Sequence, residues 1–357
     1  MTARRDQSRG PARVTIVDVA RDAGVSKATV SRVLNDGVHV RQQTRASVLA
    51  AVQRLGFRPS QTAQSLATGR TLLIGVIVSD ITIPFFTRVA RAIQDRATQE
   101  GYLVLVGNSD ERAASEDDLV RAFEARMVDG LIVAPTAGSH GTLARLSQSV
   151  PLVLVDRLVD ELAADAVLAD NTGGAFAAVE HLLALGHRRI AYVTDALDKT
   201  STRERLEGYE QAFRQRGAEL SEDLVWIVDY HADAAERSVE RLLRRHRPTA
   251  VVAAEGSITL GVFRASRRLG LHVPRELSII GFDQLDWSTA TDPPLTVVSQ
   301  DAERIGTHAV ELLLRRVAQG ASASSRSRIK RVPTRLIVRD SCAAPSYGTP
   351  RRRSCSG

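Results

Sequence analysis

Uncompensated positive charge gathers at one end of this chain. Residues 1–70 hold twelve Lys and Arg against four Asp and Glu, a net of +8, while the whole 357-residue chain nets +7, so residues 71–357 net −1. Positive charge at one end of a near-neutral chain suits a phosphate backbone. Charge by itself leaves a solubilising basic tail equally open. A second group of reactive side chains sits where apolar runs end. Asp156 and Arg157 follow one run, Ser201 and Arg205 open a helical stretch, and Asp283 closes another run. An Arg fork donates and a carboxylate accepts, so together they suit a small ligand rich in hydroxyls.

The basic end has the elements to aim such donors. Ile16, Val19, Ala20 and Ala23 recur at i, i+3, i+4, i+7, one face of a short helix. Gly24-Val25 breaks it, and Ser26 is a good N-cap for a second helix. That helix turns Val30, Val33 and Leu34 inward and leaves Lys27, Ala28, Ser31 and Arg32 outside. Thr44 opens a third helix with Val48, Leu49, Val52 and Leu55 as its apolar stripe. Two short helices around a Gly turn, completed by a third, read as a helix-turn-helix unit, although any small three-helix domain shows similar stripes. Residues 59–69 read as one more short helix, with Pro59 in its first turn and Gly69 at its exit.

From Leu72 the rhythm changes. Ten apolar runs, from LLIGVIVSD to LTVVSQ, alternate with helical stretches such as Phe85–Glu100 and Thr172–Gly186. Val/Ile/Leu-rich strands separated by helices imply parallel sheets covered on both faces, here two similar α/β lobes. Ligands of such sheets lie beyond the carboxyl ends of the strands, so two facing lobes share a cleft.

Other chemistries find no support. There is no G-x-S-x-G, no Walker A loop, no H-E-x-x-H and no G-x-G-x-x-G. His181 and His187 flank LLALG and read as surface or capping groups. The two cysteines, Cys342 and Cys355, form neither a disulfide framework nor a zinc site. The chain shows no apolar membrane span and no secretory h-region, so a cytoplasmic protein without metal or cofactor is expected.

The segments TIVDVARDAGVSKATVSRVLND and VRQQTRASVLAAVQRLGFRPSQTAQSLATGRTLLIGV closely resemble the LacI/GalR family of bacterial transcription regulators. DITIPFF, VEHLLALGHRRIAYV, SIIGFD and PTRLIVRDSC extend the resemblance to about Cys342. It implies that the second helix lies in the DNA major groove with Lys27, Ala28 and Arg32 facing base edges. Lys and Arg donate to guanine O6/N7, and Ala meets a thymine methyl. Ser26, Thr29, Ser31 and Asn35 then hold phosphates. The short helix before Gly69 is implied to enter the minor groove, with Leu66 wedged between base pairs. The core is implied to be a periplasmic sugar-binding-protein fold whose chain crosses between lobes near Asn171, Gln300 and Ile329. Arg205 and Asp283 match residues that clamp effectors, Asp156 matches a sugar-hydroxyl ligand, and Phe85 and Trp287 are the aromatic candidates for the sugar's CH face. Glu255-Gly256 departs from the family's usual Asn-Asp or Gly-Asp, and Glu255 is a candidate acceptor in its place.

The expected layout is a basic tail (1–13), a helix-turn-helix domain (14–58), a hinge helix (59–70), a core (71–341) and a flexible tail (342–357). Within the core, one lobe takes 71–170 and 300–328 and the other 171–299 and 329–341. One reader covers few base pairs, so a homodimer on a pseudo-palindromic operator is expected, with a sugar-type effector in the cleft and repression as the outcome. The tail lacks apolar heptads, which favours a dimer over a tetramer. A periplasmic-type receptor without DNA function, a nucleoid-type DNA binder and a corepressor-dependent regulator of nucleotide metabolism are the alternatives.

Overall fold

A computed structural model describes residues 14–34, 40–57, 69–160, 162–319 and 327–345. The chain divides into two compact units after Thr71.

The first unit is built on α1 (Ile16–Asp22), α2 (Lys27–Leu34) and α3 (Gln42–Leu55). Thr15 and Asp18 cap α1 reciprocally: the Thr15 amide donates to Asp18 Oδ2 at 2.9 Å and the Asp18 amide to Thr15 Oγ1 at 3.4 Å. Gly24 takes φ +66°, the left-handed turn the sequence requires there. Ser26 Oγ accepts from the Thr29 amide at 3.1 Å and starts α2. The core is small: Val19, Val30, Val48 and Ala51 are fully buried. The third helix begins at Gln42, two residues before Thr44, and Leu49 is 47% exposed while Ala51 takes the inward place. The contact with α1 and α2 rotates the buried stripe toward Ala51, where a small side chain lets the helices approach.

The second unit holds two lobes with one plan. The first lobe carries β1 (Leu73–Val78), β2 (Leu103–Asn108), β3 (Gly130–Val133), β4 (Leu152–Val155) and β5 (Asp165–Ala169), with β11 (Ile329–Val332) returning to it. Its helices are α4 (Pro84–Gln99), α5 (Ala113–Ala125), α6 (Gly141–Leu146) and α11 (Ala302–Gln319). The second lobe carries β6 (Ile190–Thr194), β7 (Val225–Ile227), β8 (Ala250–Ala253), β9 (Ser278–Phe282), β10 (Thr296–Ser299) and β12 (Arg335–Ile337). Its helices are α7 (Asn171–Ala184), α8 (Thr200–Gln215), α9 (Ala232–His246) and α10 (Gly256–Arg268). The strand orders are β11-β5-β4-β3-β1-β2 and β12-β10-β9-β8-β6-β7, the same permutation twice. Both sheets are buried on both faces. In β1, Ile74, Val76 and Val78 join one cluster and Ile77 the other, which explains the continuous apolar runs. Helix pairs close over the sheets at glycines: a Cβ on Gly208 of α8 would lie 2.2 Å from the Thr172 carbonyl oxygen of α7.

All ten expected strands are present, and two more complete the sheets. β11 pairs in parallel with β5, so residues 329–332 belong to the first lobe and the third crossing falls after Val332, not near Ile329. An edge strand has one neighbour and little burial; Ile329, Lys330 and Arg331 are exposed, so no apolar run marks it. The buried Asp165 carboxylate fixes this return, accepting from the Arg328 amide at 2.8 Å and from Arg316 at 2.6 Å. β12 pairs antiparallel with β10.

The expected tail also begins too early. Cys342 packs on the second-lobe core, and the Ala343 amide donates to Ser278 Oγ at 3.1 Å. His187, expected at the surface, is 1% exposed and sits within 2.8 Å of the Ala343 carbonyl and 2.9 Å of Thr249 Oγ1. It anchors the C-terminal segment. No helix among the described residues is long and apolar enough to cross a membrane.

Candidate functional site

The carboxyl ends of the strands meet in the cleft between the lobes. On the second-lobe side each of the five parallel strands delivers one polar residue to it: Asp195 after β6, Tyr230 after β7, Glu255 after β8, Asp283 after β9 and Gln300 after β10. The first lobe contributes Ile83, Phe85 and Phe86 at the start of α4, Glu111 after β2, and Asp156 and Arg157 after β4. The cavity is part-open and narrow, with about 50 Å³ available to the centres of water-sized groups, room for a few waters.

Asp156 and Asp283 occupy equivalent places. Each follows the fourth strand of its lobe, with φ of 69° and 67°. Each donates its amide to the fifth strand, Asp156 to Val167 O at 3.1 Å and Asp283 to Val298 O at 2.8 Å. The left-handed conformation costs energy in a non-glycine residue, and Asp is among the few that tolerate it. The kink turns both carboxylates off the sheets and into the cleft.

Arg157 is a strut. It is buried, with Nη1 and Nη2 on the Glu111 carboxylate at 2.9 and 2.6 Å, Nε on Asp156 at 3.0 Å and Nη1 also on Pro135 O at 3.0 Å. Burial works against its charge, but Glu111 and Asp156 outweigh that and hold Arg157 firmly protonated. Burial alone would raise the Glu111 carboxyl; Arg157 pulls it below its ordinary value.

On the opposite wall, Arg205 donates from Nε to Asn171 Oδ1 at 2.8 Å and from Nη1 to Ala254 O at 2.6 Å, stacked 4.3 Å from the Phe282 ring centre. Asp283 takes its hydrogen bond from Gln300 Nε2 at 2.7 Å. Burial raises the Asp283 carboxyl. Burial, with the Asp283 charge second, pushes Glu255 up to about 7. Lys199 pairs with Asp195, to which Thr202 also donates at 3.2 Å.

Of the effector residues expected from sequence, Phe85, Asp156, Arg157, Ser201, Arg205, Glu255 and Asp283 line the cavity. Trp287 does not: it sits in a 3-10 turn, packed on the second-lobe core. The aromatic on that wall is Tyr230, placed by a loop after a three-residue edge strand that no motif marks. Glu111, Asp195, Lys199, Thr202 and Gln300 also escaped sequence reasoning. Asp195 and Gln300 carry the same signal as Asp156 and Asp283, a polar residue just past an apolar run, while Glu111, Lys199 and Thr202 lie further along their loops and carry none. Polar contacts already join the lobes: Leu158 N to Thr200 Oγ1 at 2.8 Å, Arg88 to Gln284 O at 2.8 Å, and Arg331 to Glu204 at 2.6 Å.

In the first unit, Lys27, Ala28 and Arg32 are exposed along α2 behind the Ser26 cap, with Thr29 and Ser31 half-buried beside them. Arg54 of α3 ties to Asp22 of α1 at 2.6 Å and so braces the two-helix turn. Asn35 and Leu66 lie outside the described residues.

A three-helix reader with an exposed basic face, in one chain with a two-lobed cleft built on strand ends, defines a ligand-responsive DNA-binding regulator. Residues 15–60 match the model for bacterial regulatory proteins of the lacI family, and residues 179–342 match a periplasmic binding protein-like domain. Catabolite control protein A of Priestia megaterium is 36% identical over 331 residues, covering 92% of this chain and 99% of that protein. The ribose operon repressor of Halalkalibacterium halodurans is 33% identical over 328 residues, 91% and 96% of the two chains. The solved lac repressor dimer bound to operator and the anti-inducer ONPF superposes with a TM-score of 0.82 at 31% identity, covering 93% of this chain and all of that one. The chain belongs to the LacI family, and it is a DNA-binding transcription regulator with a small-molecule site in its core.

Proposed function

We propose that this protein is a cytoplasmic repressor that binds a pseudo-palindromic operator as a homodimer and is released by a small polyhydroxyl effector held between its lobes. Lys27, Ala28 and Arg32 read base edges. Ser26, Thr29, Ser31 and Asn35 hold phosphates, and Leu66 enters the minor groove. Asp156, Asp283 and Arg205 orient the effector, Ser201 and Glu255 add polar contacts, and Phe85 and Tyr230 supply apolar faces.

The observation that carries the effector half is the pair of left-handed aspartates, Asp156 and Asp283, turned from equivalent strand ends into one cavity. Backbone strain of this kind persists where a site uses it. A cavity this narrow favours an effector that parts the lobes as it enters, which would couple ligand to lobe spacing. An effector shifts operator affinity only through unequal affinity for the two spacings.

The test is selection of tight duplexes from a randomised pool with full-length protein, followed by anisotropy titration at fixed salt with and without a panel of sugars. A two-fold-symmetric motif whose affinity falls on adding one sugar is the expected result. Equal affinity for selected and random duplexes would refute the DNA half, and indifference to every sugar the effector half.

A further inference from the structure

We propose that the cleft admits only ligands without negative charge: neutral or amine-bearing polyols that donate hydrogen bonds to the second-lobe wall, with phosphorylated and carboxylated sugars rejected. This rests on the effector reading above and adds the charge class of the ligand.

The cations of the cleft are paired with protein groups, Arg157 completely and Lys199 and Arg205 in part. All three guanidinium nitrogens of Arg157 engage Glu111, Asp156 or Pro135 O. Lys199 is held by Asp195 and lies 5.9 Å from the Tyr230 ring centre. Arg205 serves Asn171 and the Ala254 carbonyl, with its plane on Phe282. A phosphate that drew on Arg157 would have to break these bonds, leaving buried oxygens unpaired, and Lys199 and Arg205 offer it only the N–H groups that Asp195, Asn171 and Ala254 leave over.

Acceptors, in contrast, are left over. Glu255 Oε2 takes the Ser257 and Ile258 amides at 2.8 and 3.1 Å and caps α10, while Oε1 is shielded from solvent and takes no hydrogen bond among the described residues. Gln300 Nε2 donates to Asp283, and because a carboxylate only accepts, this fixes the amide's orientation. Its Oε1 is then a second shielded acceptor without a donor among the described residues. Both residues line the cavity. Above about pH 7, where Glu255 is ionised, the charge balance points the same way: Glu111, Asp156, Asp195, Glu255 and Asp283 face Arg157, Lys199 and Arg205, five acids against three bases. Between the lobes that excess repels an anion, while ligand O–H or N–H groups satisfy the leftover oxygens.

The test is calorimetric titration of the full-length protein at about pH 8.5, where Glu255 is ionised, with matched probes: glucose, glucosamine, gluconate and glucose 6-phosphate, and ribose against ribose 5-phosphate. In whichever set binds, the neutral or amine member should bind at least about tenfold tighter than its anionic counterpart. Glu255→Gln tests the acceptor directly. The cap amides keep the side-chain oxygen, so the amide nitrogen replaces Oε1 and an acceptor becomes a donor at constant shape. The neutral member should then bind about 10- to 100-fold more weakly and the gap to the anion should narrow, with the thermal melt showing a folded protein. An anionic member that binds tighter than its parent overturns the proposal. So does a folded Glu255→Gln protein that binds the neutral sugar as the wild type does. If no probe of any charge binds, the effector reading itself fails and the proposal with it.

Discussion

Replacing Arg157 by Met separates a ligand contact from a strut. In the wild type, Arg157 neutralises Glu111 and Asp156 at 2.6 to 3.0 Å in a site where its own side chain is 7% exposed. Met keeps the apolar volume and removes the charge, leaving two buried carboxylates that face each other's field. Breaking a buried pair from one side costs about 3–5 kcal/mol. For a core of this size that lowers the melting temperature by about 6–10 °C. The assay is far-UV circular dichroism melting of full-length protein, because Trp226 and Trp287 both report on the second lobe. The pH dependence sharpens it. Arg157 holds the Glu111 carboxyl below its ordinary 4.5, so this part of the stability is present above pH 4.5 and is lost as pH falls through the depressed value. The gap between wild type and variant should therefore be widest near neutrality and close in acid. Adding Glu111→Gln to Arg157→Met should recover part of the loss, since it removes one orphaned charge. A melting temperature within about 1 °C of wild type, together with lost effector response, would refute the strut and return Arg157 to the ligand contacts.

Arg32→Ala should relax base preference at one position in each half-site, by about 1–3 kcal/mol of discrimination, and an unchanged binding logo from a randomised-duplex selection would contradict that role. Leu66→Ala should weaken operator binding while calorimetric effector affinity holds; equal operator affinity removes the wedge. Glu255, pushed up to about 7 by burial and by Asp283, binds its proton more tightly in the folded chain than at the ordinary 4.5. Core stability should thus fall as pH rises from about 4.5 to 7 and level off above, and Glu255→Gln should flatten that slope in urea titrations at stepped pH. The groups facing Glu255 across this window are Asp283, Asp195 and Arg205.

Local residue pattern sets the division of labour and most of the elements. The apolar period switches from helical to strand-and-helix near Leu72, the charge excess stops at the same place, and Gly24 and Ser26 mark the turn and cap of the reader. These are local signals, because period, capping and left-handed turns are decided within a few residues. The aspartates after VLV and IIGF were legible for the same reason, since a polar residue that ends a buried strand must face an end of the sheet. What those residues do depends on partners brought together by the fold. Arg157 and Arg205 look alike on the page, yet one is locked between two carboxylates and the other stacks on Phe282. β11 carries no apolar run, because an edge strand is chosen by its neighbour β5 and by Asp165 and not by its own burial. Trp287 and Tyr230 exchanged places for a similar reason: which aromatic reaches a cleft depends on how a loop folds against the other lobe. Hydrogen-bond partners distant in sequence set these outcomes, and partners more than a hundred residues away, such as Arg316 for Asp165 or Ala343 for His187, leave no trace in local pattern.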